Sequence, residues 1–118
     1  AKVPPLVRLD KLRVERILAN LLENAREHGG GPVRLFAELA PKRTLVLGVD
    51  DAGPGVARSE RSRIFERFAR GSAARHRVGT GLGLALVAEH AQAHGGEAWA
   101  EDRPGGGARF KVSLAEVL

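Results

Sequence analysis

Residues 10–29, DKLRVERILANLLENAREHG, decide how the rest of the chain is read. Val14, Ile17, Leu18, Leu21, Leu22 and Ala25 recur at three- and four-residue spacings, which is the pattern of an amphipathic helix. Asp10 is placed to cap its start and Gly29 to take a left-handed turn at its end. At about 100° per residue the apolar side chains fill one arc. Asn20 and Asn24 fall together on the border of that arc, one turn apart, so two neutral amides look into the protein. On its own, such a pair is more often a packing or capping feature than a ligand set.

Upstream, Val3 to Leu9 holds a Pro-Pro pair and a short LVRL run, readable as an edge strand or a linker. Downstream, Val33, Leu35, Ala37 and Leu39 alternate and share one strand face. After a turn at Pro41-Lys42-Arg43, Leu45, Leu47 and Val49 do the same, which predicts a hairpin. The period of two puts Asp51 on the covered side with Leu45, Leu47 and Val49, and turns Asp50 away. A carboxylate on a covered face is costly unless something donates hydrogen bonds to it. DAGPGV then breaks the strand at Gly53 and Gly55, and the apolar cluster IFERF follows at 64–68. GTGLGL at 79–84 opens a second helix, Leu82 to His94, apolar nearly all round and so expected to be buried. Its end, AHGGEA, repeats the EHGGGP ending of the first helix. Glu97 to Glu101 around Trp99, and Ala108 to Leu114, read as two last strands joined by a turn at Pro104 to Gly107. Helix, two strands, glycine-rich loop, helix and two strands predict a two-layer α/β sandwich.

The 118 residues suffice for one domain with a real core. No cysteine is present, so disulfides and Cys-based metal sites are excluded. No apolar run approaches the roughly 20 residues of a membrane span, and the start, AKVPPLVRLD, resembles no signal peptide and suggests a piece of a longer protein. The net charge of +5 is concentrated. Val56 to Thr80 carries seven arginines against Glu60 and Glu66, whereas the other residues carry twelve basic and twelve acidic groups. That distribution suits a small polyanion better than a long duplex. With only 4% aromatic residues, a nucleic-acid module built on stacking is disfavoured. GTGLGL follows basic and polar residues rather than a strand, which rules out a dinucleotide fingerprint, and there is no GxxxxGK[ST] phosphate loop.

Asn20-x-x-x-Asn24, DAGPG, IFERF and GTGLGL, in that order, resemble the N, G1, F and G2 boxes of the catalytic ATP-binding domain of sensor histidine kinases. The resemblance covers about residues 10 to 114. It implies the Bergerat fold, a mostly antiparallel mixed sheet covered on one face by about three helices. It also implies ATP and Mg2+ as cofactors. Asp51 would accept the adenine amino group, which selects adenine over guanine, while Gly53 and Gly55 let backbone pack against the base. Asn24 would hold magnesium through its amide oxygen, with Asn20 contacting phosphate or the ion's water shell; hard cations take oxygen ligands. Gly79, Gly81 and Gly83 would wrap the phosphates, with Thr80, Leu82 and Leu84 in the same box and backbone N–H groups facing the anion. Val56 to Thr80 would be a lid, tethered by Ile64, Phe65 and Phe68, in which Arg67 matches a motif position and Arg70, Arg75 and Arg77 are further phosphate candidates. His28 would lie near the adenine or ribose.

In hydrolysing relatives the position of Asn20 is a water-activating glutamate, and an amide cannot act as a base. The resemblance therefore implies phosphoryl donation to a histidine on a separate helical hairpin, with Asn20 and Arg67 as the catalytic pair and a response regulator downstream. His28, His76, His90 and His94 are not in an HExxxP sequence, so the phosphoacceptor lies elsewhere. It also implies a cytoplasmic domain of a parent anchored in the bacterial inner membrane, itself making no membrane or nucleic-acid contact. Glu27 stands where the family commonly has a basic residue. An anti-sigma-factor-type serine/threonine kinase of the same fold is the alternative, and the IFERF box argues against it.

Overall fold

The structure is a computed structural model in which residues 11–28, 30–66 and 83–115 are described. The amphipathic stretch forms α1 (Lys11–His28), followed by β1 (Pro32–Ala40) and β2 (Thr44–Asp51). Two 3-10 turns, Arg58–Glu60 and Arg63–Phe65, precede α2 (Gly83–Ala93), β3 (Ala98–Asp102) and β4 (Ala108–Leu114). The expected caps Asp10 and Gly29, and Val3 to Leu9, lie outside the described residues. Beyond α1 the chain turns at Gly30 and Gly31, both at positive φ, with the Gly31 N–H donating to the Ala25 carbonyl. At the end of α2, Gly95 and Gly96 donate back to Gln92 and Ala91, the paired bonds that satisfy a helix's last carbonyls.

The sheet order is β1-β2-β4-β3, and each pairing is antiparallel. The predicted hairpin is β1–β2, with Leu35 opposite Val49, Ala37 opposite Leu47 and Leu39 opposite Leu45. Its turn carries Lys42 and Arg43 at φ 63° and 58°. Leu45, Leu47, Val49, Ala108, Phe110, Val112 and Leu114 form the inner face. They pack against Ile17, Leu21 and Ala25 of α1, Leu84, Val87 and Ala91 of α2, and Ile64 of the second 3-10 turn. Each fully buried leucine, isoleucine or valine contributes roughly 1.5–3 kcal/mol, so this single layer contact organises the chain.

At the rim of that contact one strand face is left partly bare and one expectation is corrected. The apolar face of β1 is only partly covered: Val33 and Leu35 are 50% and 53% exposed, and only Leu39 packs on the core. Among the described strands β1 is the outer one, and the described helices lie over β2 and β4 instead. Alternation reads a face, not what covers it. Likewise α2 is buried on one side only. Leu84, Ala85, Val87 and Ala91 face the core, while Leu86 and Glu89 are exposed, because the helix sits in an outer layer.

On the outer sheet face the Phe36 ring lies over Gly48, where an added Cβ would fall 2.1 Å from the ring's Cζ. Gly48→Ala should therefore push Phe36 out of its seat and lower stability by about 1–3 kcal/mol, the usual cost of overpacking. Urea unfolding monitored by circular dichroism checks it.

Candidate functional site

β2 carries its alternation through to Asp51, which is 1% exposed on the inner face. Asp51 Oδ1 accepts the Gly53 N–H at 3.0 Å and the Ala108 N–H at 2.9 Å. Oδ2 receives no hydrogen bond from the described residues. A buried carboxylate that holds two backbone N–H groups on one oxygen keeps acceptor capacity on the other, which is the chemistry that takes a further N–H donor.

The backbone around it is crowded with glycine. A Cβ on Gly107, whose φ is +95°, would fall 2.0 Å from the Asp51 carbonyl oxygen, so only glycine lets the β3–β4 turn approach the end of β2. Gly55 lies against the same turn, its Cβ position 3.4 Å from the Gly107 carbonyl oxygen. Arg103 ties the turn down by donating to the carbonyls of Asp51 at 3.4 Å and Gly106 at 3.3 Å.

Asn24 is 8% exposed on α1, a buried amide. Asn20, one turn earlier, is half-buried, and its Oδ1 lies 3.6 Å from where a Cβ on Gly83 would sit. The polar edge of α1 thus meets the first residue of α2, where a helix presents N–H groups without intrahelical partners. Among the described residues no three His, Cys, Asp or Glu side chains come together as metal ligands. Glu23 is exposed and turned to Arg26, which donates to it through Nε at 3.2 Å and again through Nη2. That contact holds the Glu23 carboxyl below its ordinary value, whereas burial, and then Glu23 itself, push the half-buried Glu27 carboxyl up.

Of the other expected site residues, Gly53 supplies one of the N–H groups on Asp51. Val56 and Leu84 pack their side chains in the core. Ile64 is buried and Phe65 packs against the core, anchoring the start of the basic segment. Arg61 is held there by bonds to the Val56 carbonyl at 3.2 Å and to Asp102 at 2.6 Å. Arg63 pairs with Glu60 at 3.3 Å. Arg67, Phe68, Arg70, Arg75, His76, Arg77, Gly79, Thr80, Gly81, Leu82 and the His28 side chain lie outside the described residues.

Three residues near Asp51 went unrecognised in the sequence. Arg103, Gly107 and Ala108 read only as part of a turn and the start of a strand; three consecutive glycines after Pro104 were the available signal. Asp50 was expected to point away, and it does, yet it is 2% exposed. Arg109 forks onto its two oxygens at 2.7 and 3.1 Å, and Arg34 stands 4.0 Å away. Both guanidiniums lie over the Phe36 ring, 4.7 and 5.5 Å from its centre. The Arg109 hydrogen bonds hold the Asp50 carboxyl below its ordinary value against the opposing effect of burial.

The family model described as histidine kinase-, DNA gyrase B-, and HSP90-like ATPase matches residues 9–117. The chain is 46% identical over 110 residues to the signal transduction histidine-protein kinase AfsQ2 of Streptomyces coelicolor, covering 92% of this chain and 20% of that protein. It spans about a fifth of the length of such curated relatives. The crystal structure of the ATP binding domain of PrrB from Mycobacterium tuberculosis superposes with a TM-score of 0.71 at 37% identity, over 91% of this chain and 69% of that one. Full-length ShkA in complex with AMPPNP gives a TM-score of 0.78 at 34% identity, over 92% of this chain and 22% of that one. Among the described residues no helix is long and apolar enough to cross a membrane.

Proposed function

The chain belongs to the histidine kinase-, DNA gyrase B- and HSP90-like ATPase family, and from that premise we propose that it binds magnesium-ATP and donates the γ-phosphoryl group to a histidine on a separate helical hairpin. The observation that carries this reading is Asp51 itself, 1% exposed at the end of β2, with Oδ1 committed to two backbone donors and acceptor capacity left on Oδ2 for one more. The exocyclic amine of adenine supplies such a donor; guanine presents a carbonyl there. Gly53 and Gly55 let the base lie against backbone, and the start of α2 faces the phosphates.

Asn24 and Asn20 fit a magnesium ion, since the edge of α1 offers neutral amide oxygens and the ion's remaining positions go to phosphate and water. Bound there, magnesium would neutralise phosphate charge. Asn20 cannot take a proton from water, and Glu23 faces solvent, so ATP is kept until a better nucleophile arrives. The chain's own share is positioning and charge neutralisation, with Arg67 as the candidate phosphate contact from the basic segment.

The named relatives are sensor kinases several times longer than this chain. That supports reading residues 1–118 as a catalytic domain working beside a phosphoacceptor hairpin in a cytoplasmic part of a membrane-anchored parent. A response regulator is the acceptor downstream. Calorimetry with magnesium should give a far higher affinity for ATP than for GTP under the same conditions. Equal affinity for the two would overturn the reading.

A further inference from the structure

Asp50 and Asp51 are neighbours on β2 with side chains on opposite faces, and Arg109 and Ala108 are the corresponding neighbours on β4. Asp50 opposite Arg109 is the final rung of the β2–β4 ladder, and Asp51 lies one residue beyond it. The two sides of this strand end are tied separately. In front, the Ala108 N–H holds Asp51 Oδ1; behind, Arg109 forks onto Asp50.

We propose that the Asp50–Arg109 pair is a positioning clamp for nucleotide selection, fixing from the back of the sheet the strand end that aims Asp51 at the base. The proposal rests on the reading of Asp51 as the base acceptor. Asp51 still pairs with Pro32 of β1 and Ala108 with Asp102 of β3, but the β2–β4 ladder ends at this rung, so the seam between these two strands opens there first. The clamp sits at that rung. Asp50 is 2% exposed and Arg109 21%, so the pair is little screened, and a two-bond fork fixes direction as well as distance. Phe36, seated on Gly48, lies beneath the Arg109 and Arg34 guanidiniums and limits their movement. A displacement of Arg109 carries Ala108 with it through the chain, and the Ala108 N–H is one of two donors that orient the selecting carboxylate. The same face provides an internal control at Lys111, which pairs with Glu101 at 3.5 Å between β4 and β3; Glu101 itself stands opposite Arg109 and is left unchanged.

The test uses the full chain with Asp50→Asn, Arg109→Lys and, as control, Lys111→Gln. Calorimetry compares ATP with GTP, and amide NMR of the nucleotide-free protein follows Gly53 and Ala108. Asp50→Asn should lose about tenfold in ATP affinity, narrow the ATP-to-GTP ratio and shift both amide resonances. Arg109→Lys, which keeps the charge and loses the fork, should fall between it and the wild type, and Lys111→Gln should match the wild type. Should Asp50→Asn fail to fold, Arg109→Lys decides. Variants that lower the melting temperature but leave the ratio and both amides unmoved overturn the clamp alone. A wild-type chain that takes no ATP overturns the reading on which it rests.

Discussion

Asp51→Asn should cost the chain about 100-fold or more in ATP affinity while weakening its rejection of GTP. The two side chains have the same shape, so the substituted amide can keep its oxygen on the N–H groups of Gly53 and Ala108, which the native carboxylate receives at 3.0 and 2.9 Å. Its nitrogen must then occupy the place of Oδ2. Where a carboxylate oxygen met the adenine amine, two donors now confront each other. A hydrogen bond to a charged group is worth roughly 1.5–3 kcal/mol, and a buried donor left unpaired costs roughly 1–3 kcal/mol more. Even the low ends together reach about 2.5 kcal/mol, or nearly two decades in affinity. Guanine's carbonyl, by contrast, can accept from the new amide. Competition of GTP against a fluorescent ATP analogue, with variant and wild type side by side, measures both effects. An unchanged ATP-to-GTP ratio would remove Asp51 from base selection.

The legible and illegible parts of this chain differ by the range of the interactions behind them. Asp51 was readable because a period of two is local: once Leu45, Leu47 and Val49 mark the inner face, the position six residues after Leu45 must share it. The helix border of Asn20 and Asn24 was readable for the same reason at 3.6 residues per turn. Asp50 was read correctly in direction and wrongly in environment, because its burial comes from Arg109, fifty-nine positions away. The exposure of Val33 and Leu35 was likewise invisible, since β1 alternates as cleanly as an inner strand would. Its outer place among the described strands is fixed by β4 pairing with the other side of β2. Gly107 belongs with these long-range facts: its need to be glycine arises from the carbonyl of Asp51, not from its own turn.

Asn24→Ala separates holding the nucleotide from using it. The variant should phosphorylate a supplied histidine hairpin about 100-fold more slowly in the presence of magnesium, the scale at which removal of one charge-stabilising contact is usually felt. Its affinity for ADP without metal should stay within about twofold, because the Asp51 end of the site is untouched. Alanine is the best helix former, and a melting curve of the variant reports whatever Asn24 contributes to the fold separately from its effect on transfer. Asn24→Asp retains an oxygen in the same position and should recover part of the rate, since a carboxylate also serves a hard cation. Glu23 cannot compensate, being turned to Arg26 on the exposed side of α1. Equal transfer rates for Asn24→Ala and the wild type across a magnesium titration would take the ion away from α1. A rate loss that Asn24→Asp does not relieve would make the residue a structural amide, and the buried face of α1 would then owe its polar edge to packing alone.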